Sequence, residues 1–256
     1  MPASGKAATV NLANIKIACK QCALRELCLP LGLDESDMKE LDNMLKRRRT
    51  LKKRDYLYRI GDPLHALYAV KAGSLKTVGL MEDGRVQVVG FHLPSELLGL
   101  DAIGSDKYIC DAVALEETEL CEIPYQALEE TAREIPGLQR QLLRIMSRAI
   151  VQEEHQLMLL GKMTAEERLA VYLLNLSKRQ ERLDLPADTI RLSMSRQDIA
   201  DYLGLALETV SRLFSRFQDD GLISVSGRQI ELTDMLKMRQ ILGQCESIKA
   251  GKKCAE

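Results

Sequence analysis

Three cysteines near the start of the chain have the spacing of metal ligands. Cys19, Cys22 and Cys28 lie within the stretch "CKQCALRELC", a C-x2-C-x5-C pattern. In a reducing compartment, thiols grouped this tightly indicate metal binding rather than disulfides, and a total of seven cysteines suits four ligands better than paired bridges. The spacing alone leaves the fourth ligand open. It also leaves open whether the site holds an iron–sulfur cluster or a four-cysteine zinc ion.

A second group of residues, in "SRQDIADYLGLALETVSRLFSRF" at 195–217, has the pattern of a helix-turn-helix. Ser195 and Asp198 suit the start of a first helix as a capping pair. Ala200 is small enough for two helices to cross closely, and Gly204 suits the tight turn between them. The buried stripe expected on the second helix consists of Leu207, Val210, Leu213, Phe214 and Phe217.

The opposite face of this second helix carries side chains that can contact DNA bases. Arg212 can bond the acceptor edge of guanine, and Glu208 can accept a hydrogen bond from the amino group of cytosine, with Ser211 beside them. The stretch "LISVSGRQIEL" at 222–232 predicts a β hairpin that forms a wing. The alternative interpretation is that these charged residues only keep the exposed face of a helix in contact with water. The turn, the core spacing and the hairpin together favour DNA binding. Candidate phosphate contacts are Arg196, Arg216 and Arg228.

The elements that position these groups follow from turn signals and periodicity. From about residue 50 to 124, "RIGDP", "KAGS", "MEDGR" and "HLPSE" separate short apolar runs such as "LYAV" and "VQVVGF". Turns at this spacing predict a small antiparallel barrel or roll. The stretch 136–160 has no glycine or proline after Gly137, which predicts a long helix, and the pattern stays mostly helical to Phe217.

The long helix carries the alternating three- and four-residue spacing of a coiled-coil seam. The seam positions are Leu143, Met146, Ile150, Glu153, Leu157 and Leu160. The simpler alternative is an amphipathic helix packed on its own domain, because so few heptads are present. Glu153 is informative, since a carboxylate is costly in an internal core. At a two-fold axis it faces its own copy, and the like charges oppose association.

Composition indicates a soluble globular protein that is long enough for two domains. The chain has 256 residues, a formal net charge of −1 and 46% hydrophobic residues. We expect no membrane span, and residues 1–20 lack the apolar core of a signal peptide, so a cytoplasmic location is the default expectation. Because the net charge is near neutral, any nucleic-acid partner must bind to a local patch on the surface rather than to the protein as a whole. The basic run "KRRRTLKKR" at 46–54 is expected to be a solvated surface feature.

In this order, the motifs resemble the FNR regulators, the oxygen-sensing branch of the CRP/FNR superfamily of transcription factors. The resemblance spans about residues 19 to 235 and rests on "CKQCALRELC", "LDNMLKRRRTLKK", "GFHLPSELLGLDAIGS", "LCEIPY", "TAEERLAVYLLNLSKR" and "YLGLALETVSRLFSRFQDDGLI". It implies an α+β fold: an antiparallel, cyclic-nucleotide-binding-like β-roll, a long dimerisation helix and a C-terminal winged helix-turn-helix. The implied boundaries are 1–30 for a cluster-binding segment, 31–135 for the β-roll sensor domain, 136–162 for the dimerisation helix, 163–245 for the DNA-binding domain and 246–256 for a tail.

The resemblance also implies the cofactor. In the family, three amino-terminal cysteines and one at the end of the roll hold an oxygen-labile 4Fe–4S cluster, one per subunit. The matching residues here are Cys19, Cys22, Cys28 and Cys121. Cys110 is the rival for the fourth position but matches no family ligand. With the cluster intact, two subunits would pair and bind TTGAT-like inverted repeats during anaerobic growth, and oxygen would release them.

The implied partners are double-stranded DNA, a second copy of the chain and RNA polymerase. No catalytic constellation is evident, and cyclic nucleotide binding is not expected, because Glu96 is present but no arginine follows where the phosphate would lie.

The chain departs from the family at two positions. Ala23 replaces a polar residue of some members, which bears on oxygen sensitivity. Arg85 stands in the hairpin that contacts the polymerase, where close relatives tend to be acidic.

Two other classes of function remain as alternatives. The first is a zinc-stabilised DNA-binding regulator that is constitutively active, because zinc also takes four cysteines. The second is an enzyme that uses an iron–sulfur centre for redox chemistry, which would leave the helix-turn-helix and its wing unexplained. Iron and sulfide analysis separates the first alternative from an iron–sulfur regulator, and binding to a DNA fragment separates the second.

Overall fold

The structure is a computed structural model, and it describes residues 47–80 and 86–242 together with the single positions or short stretches 22, 28–30, 33, 37, 39, 41 and 84. The predictions made for Cys19, Ala23, Arg85 and the tail lie outside these residues. Within the described part, no helix is long and apolar enough to cross a membrane.

The roll predicted from the turn signals is confirmed. Its strands within the described residues are β1 (Arg47–Leu51), β2 (Tyr56–Tyr58), β3 (Ala66–Ala72), β4 (Leu75–Leu80), β5 (Val86–His92), β6 (Leu97–Leu98), β7 (Asp111–Ala114) and β8 (Thr118–Pro124). They pair antiparallel in two sheets, one ordered β1-β8-β3-β6 and the other β2-β7-β4-β5. Side chains from both sheets, such as Leu75 and Leu120, fill the core between them.

Two helices follow the roll, α1 (Tyr125–Glu134) and α2 (Pro136–Lys162), and α2 is the long helix predicted from the absence of breakers. Pro136 stands at the first position of α2, where the missing N–H leaves no hydrogen bond unmade. A second core lies between these helices and the outer face of the first sheet. It contains Leu128 and Leu138 from the helices and Ile123 from β8.

The C-terminal part combines helices with a small sheet. Its elements are α3 (Ala165–Glu181), β9 (Thr189–Arg191), α4 (Arg196–Leu203), α5 (Leu207–Asp219), β10 (Ile223–Ser226), β11 (Gln229–Leu232) and α6 (Met235–Ile241). The sheet order is β10-β11-β9 within the described residues. The predicted hairpin is β10–β11. Strand β9 was not predicted, because three residues are too few to show an alternating pattern.

The helix-turn-helix is formed by α4 and α5, and its local signals are those expected. The Ser195 hydroxyl accepts from the backbone N–H of Asp198, and the Asp198 carboxylate accepts from the N–H of Ser195 at 2.8 Å. Gly204 ends α4 in the left-handed conformation with φ +61°. One detail was wrong. Leu207 is 36% exposed rather than buried, because it is the first residue of α5 and precedes the packed layer.

The C-terminal part docks on the roll through polar and aromatic contacts between residues far apart in sequence. The Nζ of Lys76 in β4 lies 2.5 Å from the Asp198 carboxylate in α4. The hydroxyls of Ser74 and Ser193 are 2.6 Å apart. The rings of Phe91 and Tyr202 have centroids 5.0 Å apart. These contacts orient the helix-turn-helix relative to the roll.

Gly204 provides a test of the turn between the two helices. Replacing Gly204 with Ala should lower the free energy of unfolding by about 1–2 kcal/mol, because a Cβ is strained at this positive φ and meets Leu160 at 3.3 Å. Gly161 near the end of α2 has open space around it, so Gly161→Ala is the matched control and should not lower stability. Thermal unfolding followed by circular dichroism measures both. Equal melting temperatures for the two variants would refute the role of Gly204.

Candidate functional site

The outer face of α5 carries the side chains predicted to contact bases. Glu208, Ser211 and Arg212 are exposed, whereas Val210 and Phe214 on the opposite face are buried. Among the described residues, the side chains of Glu208 and Arg212 have no hydrogen-bond or ion-pair partner. The structure therefore brings all three candidates together on one accessible surface, next to the β10–β11 hairpin in sequence.

The three arginines predicted to contact phosphate differ in their surroundings. Arg228 is exposed in the turn between β10 and β11. The Nη1 of Arg216 lies 3.0 Å from the carboxylate of Glu166 in α3. Arg196 turns inward instead. Its guanidinium lies 3.1 Å from the ring centroid of Phe214, and its Nη1 is buried without a partner in the described part of the chain. Arg196 thus stacks on an aromatic face rather than extending outward as a phosphate contact would.

The predicted seam of α2 includes an unpartnered apolar stripe. Leu143, Ile150 and Leu157 are 60%, 60% and 71% exposed, and Met146 is partly buried. Large exposed side chains aligned in this way mark an interaction surface. Leu160 differs, because it packs against the core of the C-terminal part.

Glu153 lies among these apolar positions and is exposed in the single chain. Partial desolvation of its carboxyl group raises the pKa of Glu153 above its ordinary value, and the charge of Asp101 adds to the effect. A carboxylate already disfavoured in its charged form becomes more so when a second copy approaches.

Cys28 and Cys121 share the core between the roll and α2. Cys121 lies in β8, and both thiols are partly buried against the same apolar cluster. Burial raises the pKa of Cys28 to about 12, the N–H of Leu29 opposes this, and the charges of Cys121 and Cys22 add to it. Burial and the charge of Cys22 also raise the pKa of Cys121. The three thiols therefore lie within electrostatic range of one another.

These thiols are not arranged as a closed ligand set. Within the described residues, no group of three or more cysteine, histidine, aspartate or glutamate side chains could hold a metal ion. Cys110, the rival for the fourth position, lies in the other core, between the two sheets of the roll. Its thiol donates to the Asp101 carboxylate at 3.5 Å. Cys110 and Cys121 therefore belong to cores on opposite faces of the β1-β8-β3-β6 sheet.

Arg48 is a partly buried cation beside the Cys121 thiol, although the basic run 46–54 to which it belongs was expected to be a solvated surface feature. It stands directly opposite Cys121 in the β1–β8 pair, so both side chains lie on the same face of the sheet. Its Nη2 is buried and has no hydrogen-bond partner in the described part of the chain. Lys71 and Arg48 both lower the pKa of Cys121, against the dominant effect of burial. A buried, unpaired guanidinium nitrogen suits an anionic group at this position.

Glu96, the acidic residue of the segment that matches the nucleotide cassette, is already paired. The Nε of Arg179 in α3 donates to its Oε1 at 2.9 Å, and an Nη2 contact to Oε2 completes a bidentate ion pair. The carboxylate also accepts from the N–H of Leu93 at 3.0 Å. Glu96 therefore links the roll to the C-terminal part.

The roll, the long helix and the winged helix-turn-helix define the CRP/FNR class of DNA-binding transcription regulators, which act as dimers. The family model described as "Cyclic nucleotide-binding domain" matches residues 48–134, and "Crp-like helix-turn-helix domain" matches residues 167–241. The solved structure of FixK2 from Bradyrhizobium japonicum is 32% identical, with a TM-score of 0.71, and the match covers 76% of this chain and 96% of that one.

Curated relatives define the branch. The transcriptional activator Anr of Pseudomonas aeruginosa is 47% identical over 88% of this chain and 92% of the relative. The fumarate nitrate reduction regulatory protein of Klebsiella oxytoca is 38% identical, over 91% of this chain and 93% of the relative. The chain belongs to the FNR-type family of transcription regulators, which confirms the predicted resemblance and fold class.

The raised pKa of Cys28 has a chemical consequence in the metal-free protein. A pKa of about 12 instead of the ordinary 9.0 leaves roughly 1,000-fold less thiolate at pH 8, and only the thiolate reacts with iodoacetamide. Mass spectrometry of the Cys28 peptide should therefore show much slower alkylation in the folded chain than in the same chain unfolded in urea. The rate in the folded chain should rise as the pH is raised. Equal rates in the two states would contradict the burial of this thiol.

Proposed function

We propose that this DNA-binding regulator responds to oxygen through a 4Fe–4S cluster, one per subunit, that controls dimerisation and binding to TTGAT-like inverted repeats during anaerobic growth. The observation that carries the proposal is that Cys28 and Cys121, distant in sequence, pack on the same apolar cluster at the junction between the roll and α2. The names of the relatives support the physiological part, since one is called an anaerobic regulatory protein and another a fumarate nitrate reduction regulator.

The proposed ligands are Cys19, Cys22, Cys28 and Cys121. Thiolates are the soft donors that iron–sulfur clusters require. Burial raises the pKa of Cys28 and of Cys121, so these two sulfurs are stable as thiolates only beside compensating positive charge. When bound, the cluster supplies an oxygen-labile redox centre. Zinc would accept the same donors, but a zinc site does not respond to oxygen as anaerobic regulation requires.

Arg48 is proposed to compensate the charge of the ligand set. A cluster held by four thiolates carries net negative charge in a partly buried place, and the unpaired Nη2 of Arg48 lies on the same face of the sheet as Cys121. Charge-assisted donation to sulfur is one of the means by which a protein tunes such centres.

Self-association is proposed to use the exposed stripe of α2. The interface would contain Leu143, Met146, Ile150, Glu153 and Leu157, with Leu160 at its partly buried end. Two Glu153 carboxylates near the axis would repel by about 1–2 kcal/mol if partly desolvated. The cluster-bound state must therefore favour pairing by more than this repulsion. Because the cluster-free state would not overcome the repulsion, association would depend on whether the cysteines hold a cluster.

Pairing through α2 would place two α5 helices one DNA turn apart in successive major grooves. Arg212 and Glu208 are proposed to contact the G·C pair of each half-site, and Ser211 the neighbouring A·T pairs. Arg228, and Arg216 once it leaves Glu166, are proposed phosphate contacts. The inward position of Arg196 argues against that role for it.

One further partner is proposed, and one ligand is not. RNA polymerase would contact the β4–β5 hairpin, which exposes Leu80 and Val86 at 60% and 51%. Cyclic nucleotide is not a proposed ligand, because Glu96 is engaged by Arg179 and is not available to a ribose.

Substitution of the cysteines tests the ligand set. Ser at Cys19, Cys22, Cys28 or Cys121 should abolish the visible absorption and the iron and sulfide content of anaerobically purified protein, because a hydroxyl is a poor ligand for this cluster. Ser at Cys110 is the matched control and should keep both. Absorption that survives Cys121→Ser and disappears in Cys110→Ser would reverse the assignment, and zinc without iron in the wild type would overturn the proposal.

Substitution of Arg212 tests the base contact. Arg212→Ala should cost about 1–3 kcal/mol on the matched site, with far less loss on unrelated DNA, because a bidentate contact to guanine N7 and O6 is lost. Arg228→Ala is the control, and should weaken all DNA sequences alike and flatten the salt dependence. The measurement is anaerobic binding to the site and to sites changed only at the G·C pair. Equal loss on every sequence would make Arg212 a backbone contact.

A further inference from the structure

A buried glutamine joins the cysteine segment to the dimerisation helix. Gln141, in the second turn of α2, is 1% exposed, and its Nε2 donates to the backbone carbonyl of Cys28 at 3.0 Å. Its Oε1 is also buried and has no partner in the described part of the chain. A buried acceptor without a partner destabilises the fold, and an apolar side chain of similar size avoids that cost. The polar side chain at this position therefore calls for a functional reason.

The surroundings of this hydrogen bond connect the ligands to the seam. Cys28, Leu29 and Cys121 belong to the same cluster as Leu138 and Ile145 of α2. Gln141 lies between these two α2 positions in sequence and two residues before the first seam residue, Leu143. The contact thus reaches from the backbone of one proposed ligand to the start of the exposed stripe.

We propose that Gln141 is the positioning residue through which the cysteine segment sets the placement of α2, and so the strength of self-association. The inference rests on the proposed function. While the ligands hold the segment, the Cys28 carbonyl accepts from Gln141 and fixes this turn of α2. When the segment is released, the Nε2 of Gln141 loses its acceptor, so both polar atoms are then unpaired in an apolar core and this packing of α2 is disfavoured. The seam then no longer presents its pairing geometry.

Gln141→Met tests the proposal, because methionine has a similar length and lacks both polar atoms. In anaerobic protein, the visible absorption and iron content should equal those of wild type. The dissociation constant of the dimer, from anaerobic sedimentation, should rise about ten-fold, the effect of losing one buried hydrogen bond. Gln152→Met is the matched control on the exposed part of the same helix and should leave the constant unchanged.

A second readout separates coupling from mere support of the fold. In air-treated protein, Gln141→Met should melt no lower than wild type, since the variant removes a buried acceptor that lacks a partner. A purely structural glutamine would lower the melting temperature. If the methionine variant does not fold, Gln141→Asn keeps the amide but is one methylene too short to reach Cys28, and the same ten-fold weakening is expected.

The outcomes are distinguishable. Intact absorption with an unchanged dimer constant overturns the role of Gln141 and leaves the proposed function standing. Loss of absorption in Gln141→Met also overturns the inference, because the residue would then be needed to hold the ligands rather than to transmit their state. A wild-type protein without iron–sulfur absorption overturns the proposed function itself.

Discussion

The burial of two cysteine thiols at the junction between the roll and α2 is the constraint on which the proposed mechanism depends. Cys28 and Cys121 are partly buried on one apolar cluster, and burial raises the pKa of both, with a smaller contribution from the charge of Cys22. Such a set is costly as thiolates without positive charge nearby. Arg48, opposite Cys121 in the β1–β8 pair, supplies one charge from the roll itself. In the proposed mechanism, the cluster that binds these sulfurs would supply the rest.

In the proposed mechanism, the state of the cysteine site would reach DNA through packing rather than through a direct contact. The cluster that contains Cys28 and Cys121 also contains the first turns of α2, and Leu159 at the other end of α2 is buried in the core of the C-terminal part. The helix-turn-helix is oriented by Lys76–Asp198 and by Arg179–Glu96, both between the roll and the C-terminal part. The proposed pairing along the middle of α2 would therefore fix the relative positions of two DNA-contacting units.

Features with local signals were predictable from the sequence, and features made by distant contacts were not. The capping pair Ser195–Asp198 and the positive φ of Gly204 follow from residues a few positions apart, so the helix-turn-helix was found correctly. The inward turn of Arg196 onto Phe214 depends on tertiary packing, as does the pairing of Arg179 with Glu96.

The candidate metal site also combines residues with a local sequence signal and residues without one. Cys19, Cys22 and Cys28 were evident from spacing, whereas Cys121 came from family resemblance because it is distant in sequence. Gln141 gave no signal at all, since a glutamine within a helix is unremarkable until its burial and its contact with Cys28 are seen.

The most direct test of the account follows one anaerobic sample through a measured pulse of air. Visible absorption reports the proposed cluster, sedimentation reports the dimer, and binding to a labelled TTGAT-type inverted repeat reports the DNA-competent state. We predict that dimer and site-specific binding decline together, in proportion to the absorption that is lost. A dimer that keeps its site affinity after the absorption has bleached would contradict the central claim that the cysteine-held group controls pairing.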